Sequence, residues 1–230
     1  DANLKFDAKV RLVPRPTSFS RWPDYVFDDP AREVTASEQN LAEGQLDAGG
    51  DARFPIELEM EDAAPGMMDA QFSVRVFEES GDFSSDAVTL PFFPYKSFVG
   101  IRVPKGDEMR GMLLTDQDHV LQIVTVDPDG KPVARDKLEV SLYKVEWKWW
   151  WDRSGDSLAQ YIANTSHVPL LKGEVTARDG TALWKFQIKY PDWGRYLVRV
   201  VDPQSGHAAG KAIYIDWPGW AGRAREEKGS

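Results

Sequence analysis

The sequence predicts an all-β chain built as two antiparallel sandwiches in tandem. Short apolar runs alternate with polar residues at a period of two, turn signals rich in Gly, Pro and Asp separate them, and no stretch carries a convincing helical period. The division into two follows from charge. Residues 1 to 95 hold 8 basic and 19 acidic side chains, residues 96 to 230 hold 20 and 18, and eight of the nine tryptophans lie in the second part. The change falls at the Pro/aromatic hinge Pro91 to Pro94-Tyr95, which places domains at 1–95 and 96–216.

In the first domain, Leu4 and Phe6 lead into alternating Ala8, Val10 and Leu12, a strand with one buried face. A long polar and aromatic excursion follows, then the Gly-rich hairpin Ala48-Gly49-Gly50-Asp51, then an apparent strand in which Glu57 and Glu59 alternate with Leu58 and Met60. Gly66 opens the next strand, and a last strand ends in aromatics.

In the second domain, Val99, Ile101 and Val103 alternate before Pro104-Lys105-Gly106, and Val120 to Val126 runs into the turn Asp127-Pro128-Asp129-Gly130. Leu138, Val140 and Leu142 alternate with Glu139 and Ser141. Leu170 to Ala177, the Asp179-Gly180 hairpin, Ala182 to Ile188, Tyr196 to Val201 and Ala209 to Ile215 complete about seven strands, the count of an antiparallel sandwich. Asp192, Gly194 and Tyr196, directly before Leu197 to Val201, have the spacing of a tyrosine corner, in which the phenol hydroxyl bonds a nearby backbone group. That makes the sandwich immunoglobulin-like.

The first domain repeats the back end of the second. Asp1 to Phe6 with its alternating continuation parallels Arg135 to Val140, and each is followed by an excursion, a Gly-rich hairpin, an apolar strand, a strand-opening Gly (Gly66; Gly194) and a final strand. On this alignment the first domain lacks counterparts for the first two strands of the second, and Met68 stands where the corner tyrosine would be. A truncated sandwich and a complete smaller one both satisfy the pattern. Truncation leaves a sheet edge unpaired, and such edges recruit other strands.

The chain has 230 residues with 42% hydrophobic and 28% charged side chains, which excludes disorder and collagen-like structure, and no apolar run reaches the ~20 residues of a membrane span. A net charge of −9 argues against nucleic acid as the main partner. The absence of cysteine removes disulfides, thiol nucleophiles and zinc-thiolate sites. Asp1 in place of an initiating Met points to a processed product or a fragment. His119, His167 and His207 stand far apart, and no nucleophile-elbow, phosphate-loop or dinucleotide motif occurs. Glu57, Glu59, Glu61 and Asp62 read as a solvated strand face, and Asp127 to Gly130 as a turn lacking the downstream Glu of a calcium loop. No catalytic, cofactor-binding or metal-ligating set is therefore expected. The most unusual stretch holds Trp147, Trp149, Trp150 and Trp151, whose indole area suits domain packing, a protein partner or sugar stacking.

The excursion Arg11-Leu12-Val13-Pro14 to Asp24-Tyr25-Val26-Phe27-Asp28-Asp29-Pro30, the Trp149-Trp150-Trp151 strand, Asp192 to Tyr196 and the exit Tyr214-Ile215-Asp216-Trp217-Pro218-Gly219-Trp220-Ala221-Gly222 occur in an order that resembles the bacterial α2-macroglobulins. The resemblance spans nearly the whole chain. It implies two middle macroglobulin-type sandwiches, upstream of the bait region of a larger periplasmic protein anchored to the inner membrane through its N-terminus, with 217–230 as a linker to the next domain. It also implies protease trapping by the parent after bait cleavage, with neighbouring domains and target proteases as partners and no enzyme activity. A Cys-x-x-Gln-type thioester has no place in this cysteine-free stretch. A carbohydrate-binding module and an immunoglobulin-like adhesin remain the alternatives.

Overall fold

The structure is a computed structural model that describes residues 3–36, 38–60, 62–107, 111–145 and 168–217. The described chain is all-β and divides into two compact units: Asp1–Pro16 with Glu33–Pro94, and Thr17–Arg32 with Tyr95–Ser230. The expected first domain, 1–95, therefore loses Thr17–Arg32 to the second unit.

The first unit is one antiparallel sheet. It contains β1 (Lys5–Pro14), β2 (Glu38–Gln45), β3 (Met68–Phe77) and β4 (Phe83–Phe92), in the order β2-β1-β3-β4. Phe6, Ala8, Val10 and Leu12 of β1 are buried on one face, and register places Val76, Val74, Phe72 and Ala70 beside them. On the opposite face Arg75 donates to the Asp7 carboxylate, which holds that carboxyl below its ordinary range. Asp47 accepts from the Gly49 and Asp51 amides to make the turn after β2, and Gly50 there has a φ of 84° that favours glycine.

Residues 51–60 carry no strand, contrary to the alternation of Glu57 to Met60. The second unit supplies the physical reason. It is a two-layer sandwich of β5 (Phe98–Arg102), β6 (Leu113–Leu114), β7 (His119–Val126), β8 (Arg135–Val145), β9 (Leu171–Ala177), β10 (Thr181–Phe186), β11 (Gly194–Val201) and β12 (Ala208–Asp216). Its sheets run β10-β7-β5 and β6-β12-β11-β8-β9, antiparallel except for the short β12–β6 pair. The order β9-β8-β11-β12 reproduces β2-β1-β3-β4, so the sequence repeat is also a repeat of topology. By this correspondence 51–60 stands where β10 stands, and the one ladder partner of β10 is β7. The first unit has no counterpart of β7 among its described residues, so an alternating segment there has no neighbour to pair with.

The core of the second unit fills the space between its sheets. Val99, Ile101, Leu121, Ile123, Trp184 and Phe186 from one sheet meet Leu138, Val140, Leu142, Tyr196, Val198 and Val200 from the other. Trp184 lies over Gly173 of β9, where an added Cβ would fall 2.3 Å from the indole nitrogen. Gly173→Ala should therefore displace the indole and cost about 1–3 kcal/mol, the usual penalty of overpacking. Urea unfolding followed by tryptophan fluorescence measures it, and an unshifted midpoint would contradict this packing.

Candidate functional site

The most densely engineered place in the described chain is the strap Thr17–Arg32 and the edges it covers. The strap reads as loop because its polar and Pro residues break alternation, yet it carries Phe19, Trp22, Tyr25 and Phe27 in eleven positions' reach of Thr17. Its ends are drawn together when the Thr17 amide donates to the Asp28 carboxylate at 3.1 and 3.2 Å. Burial pushes the Asp28 carboxyl up, and the Thr17 bonds oppose that rise.

Between those ends the strap acts as an extra strand. Val26 and Ile101 exchange both backbone bonds, at 2.8 and 2.9 Å, along the edge of β5 that faces away from β7. Two residues on, the Asp28 carbonyl accepts from Gly210 of β12 at 3.0 Å. The strap thus satisfies edge groups of both sheets. Trp22 Nε1 also donates to the Gly130 carbonyl, at 2.9 Å, on the turn leaving β7. Close approach is possible because Gly100 and Gly210 lack side chains: a Cβ on Gly100 would lie 2.4 Å from the Phe27 ring, and one on Gly210 would lie 3.1 Å from Pro30.

Asp29 then locks the strap. Its buried carboxylate accepts from Arg199 Nε at 3.0 and 3.2 Å and from Arg199 Nη2 at 2.8 Å, lies 3.4 Å from Arg32 Nε, and takes the Ala31 amide at 3.1 Å. A two-pronged arginine contact of this kind fixes orientation as well as charge. Arg32 extends the network to the Tyr95 hydroxyl at 3.1 Å.

Beneath the strap lies an aromatic cluster. Phe19 meets Phe27 edge-on with centroids 4.7 Å apart, and His207 lies 4.9 Å from both Phe98 and Tyr95. The Val99 amide donates to His207 Nδ1 at 2.9 Å, so the neutral ring carries its proton on Nε2. Burial, reinforced by Arg32, lowers the His207 pKa to about 3 against the opposing pull of Asp202. Asp202 is itself buried and accepts from Arg135 Nε at 2.7 Å, Ser205 Oγ at 2.9 Å and the Gln204 amide at 3.0 Å.

At the other end of β11, Tyr196 is fully buried and its hydroxyl donates to the Asp192 carbonyl. Burial, with the Asp192 charge second, pushes its phenol up to about 12. Gly194 between them has a φ of 143°, which side chains rarely adopt. Asp192 also receives Lys144 Nζ at 3.0 Å. Trp147, Trp149, Trp150 and Trp151 lie outside the described residues, as do His167 and Glu61. His119 is buried, with Nε2 2.8 Å from the Leu114 carbonyl. Asp127 accepts from the Asp129 and Lys131 amides as a turn residue. Glu57, Glu59 and Asp62 line an open cleft of about 640 Å³ with Glu38. Among the described residues no group of three His, Cys, Asp or Glu is placed to hold a metal.

The sequence reading missed Asp29, Arg199, Gly100 and Gly210. The available signal was the unusual aromatic content of the excursion followed by Asp28-Asp29-Pro30. The described arrangement is one of docking: its buried carboxylates are held by arginines and amides rather than aimed into a cleft.

Residues 1–94 match the bacterial α2-macroglobulin MG5 domain and residues 100–217 match bacterial macroglobulin domain 6. An α2-macroglobulin homologue of Yersinia pestis is 31% identical over 135 residues, covering 57% of this chain and 6% of that protein. The native conformation of E. coli α2-macroglobulin aligns with TM-score 0.50 and 17% identity over 94% of this chain and 14% of that one. Salmonella α2-macroglobulin reacted with methylamine gives 0.50 and 18%, over 94% and 15%. At these identities the structural likeness is one of fold, and the chain spans a small part of each relative.

Two outcomes follow from the strap. Asp29→Ala leaves Arg199 buried without its partner and should cost the second unit about 3–5 kcal/mol, whereas Asp29→Ala with Arg199→Met should recover much of that. Chemical unfolding of the four proteins measures the coupling, and strictly additive losses would contradict it. The His207 ring stays neutral in the fold to about pH 3 but takes a proton near 6.5 when unfolded. Stability should therefore fall as pH drops below 6.5, by about 1.4 kcal/mol per pH unit from this group. His207→Asn should flatten that slope in unfolding curves between pH 7 and 4, and an unchanged slope would remove His207 from the account.

Proposed function

Because this chain belongs to the bacterial α2-macroglobulin family, we propose that it serves as framework in a larger protease-trapping protein and performs no catalysis itself. The observation that carries this reading is the strap. A segment between β1 and β2 of the first repeat supplies an edge strand, an aromatic plug and a buried carboxylate to the second unit. Such weaving gives successive domains a shared fold, which suits a scaffold that must stay intact while another part is cleaved.

The repeat extends the reading to the tryptophans. The excursion holding Trp147, Trp149, Trp150 and Trp151 follows β8 in the order in which the strap follows β1. We assign it to packing against a neighbouring domain of the parent. The parent is further proposed to act in the periplasm, held at the inner membrane through its N-terminus.

The test compares the parent with the present chain against an endopeptidase. The parent should suppress hydrolysis of a large protein substrate while a small peptide ester is still turned over, and the present chain should alter neither. Inhibition or peptide hydrolysis by the chain alone would overturn the framework reading. Oligosaccharide titration should leave its tryptophan fluorescence unchanged, and a saturable shift would favour sugar stacking instead.

A further inference from the structure

The strap Thr17–Arg32 is held together largely by its own residues. The Thr17 amide donates to the Asp28 carboxylate, the Trp22 amide to the Phe19 carbonyl at 2.8 Å, the Tyr25 amide to the Trp22 carbonyl at 3.2 Å and the Arg32 amide to the Asp29 carbonyl at 3.1 Å. Phe19 packs edge-on against Phe27, and Trp22 edge-on against Tyr25 with centroids 5.5 Å apart. Bonds and ring contacts of this kind make a compact loop that carries much of its own order. A ligand already ordered loses less freedom when it docks.

The groove that receives the strap is built from residues after Pro94. It consists of the Ile101 backbone, the Gly210 amide, the Gly130 carbonyl, the Arg199 guanidinium and the space left by Gly100. Strap and groove are complementary parts of one unit, yet 33–94 separates them in sequence: the chain leaves the strap at Arg32, runs through β2, β3 and β4, and re-enters the unit at Tyr95. Everything by which the groove recognises its strap is therefore also offered by a second copy. That recognition is selective in charge and in size. Arg199 demands the Asp29 carboxylate, and a side chain at position 100 would meet the Phe27 ring at 2.4 Å.

We infer that the second unit is a receptor for the strap of a second copy of this chain as well as for its own, so that copies folding together exchange straps and form a closed dimer. The tether through 33–94 holds a strap near its own groove at an effective concentration of about millimolar, which favours self-closure when the chain is dilute. Exchange needs a vacant groove, so it takes place during folding and is retained afterwards.

Co-refolding of full-length variants tests this. Asp29→Ala has an altered strap and an intact groove, and Arg199→Met has the reverse. Exchange between them pairs Asp29 with Arg199 in one groove and Ala with Met in the other, so both mismatches are relieved together. Each variant is refolded alone and in an equal mixture at about millimolar chain, with one copy isotopically labelled, and native mass spectrometry resolves the dimers. The mixture should give heterodimer at least ~10-fold above either homodimer. In it the Ile101 and Gly210 amides of the Asp29→Ala copy should exchange at least ~10-fold more slowly than in that variant alone. Phe27→Ala with Gly100→Ala repeats the experiment with size in place of charge, so that failure of one pair to fold leaves the other to decide. Absence of dimer in both mixtures, dimers in the proportions of random mixing, or heterodimer without added protection at Ile101 and Gly210 would overturn the inference.

Discussion

A β-strand edge presents unpaired amides and carbonyls, and both units are organised by how that demand is met. In the second unit Val26 pairs with Ile101 and Asp28 with Gly210, so one short segment serves an edge of each sheet. In the first, the alternation of Glu57 to Met60 finds no strand to pair with among the described residues, and 51–60 carries no ladder. The same constraint, met in one place and unmet in the other, accounts for the difference between two halves that share the order of four strands.

The polar contacts of the strap make its position specific. Aromatic burial alone would tolerate sliding, because rings at 4.7 to 5.9 Å pack in several registers. Asp29 does not tolerate it. A buried carboxylate must keep its donors, and those donors are Arg199 on β11, Arg32 and the Ala31 amide. Gly100 and Gly210 act in the same direction by leaving room for Phe27 and Pro30 at one position of the backbone. In this chain the arrangement makes a segment that lies between β1 and β2 in sequence part of the second unit.

What the sequence disclosed was local or periodic. β1, β8 and β11 alternate cleanly, the turns at Asp127 and Asp179 announce themselves, and the spacing of Asp192, Gly194 and Tyr196 lies within five residues. The repeat was legible because order survives where identity does not. β2 was illegible because Glu38 to Gln45 is mostly exposed and holds no apolar rhythm, and the strap because Asp29 finds Arg199 at a separation of 170 residues. The Glu57 to Met60 alternation misled because period reports a face to bury, whereas a strand also needs a neighbour.

The central claim is that Thr17–Arg32 belongs to the second unit as fully as its own strands do. Native-state hydrogen exchange at the Val26, Ile101 and Gly210 amides addresses it directly, since each is bonded across the strap. The account predicts that these amides exchange with the same opening free energy as the core amides of β7, through global unfolding of that unit. Exchange of Val26 and Gly210 through a low-energy local opening, with β7 still protected, would contradict it.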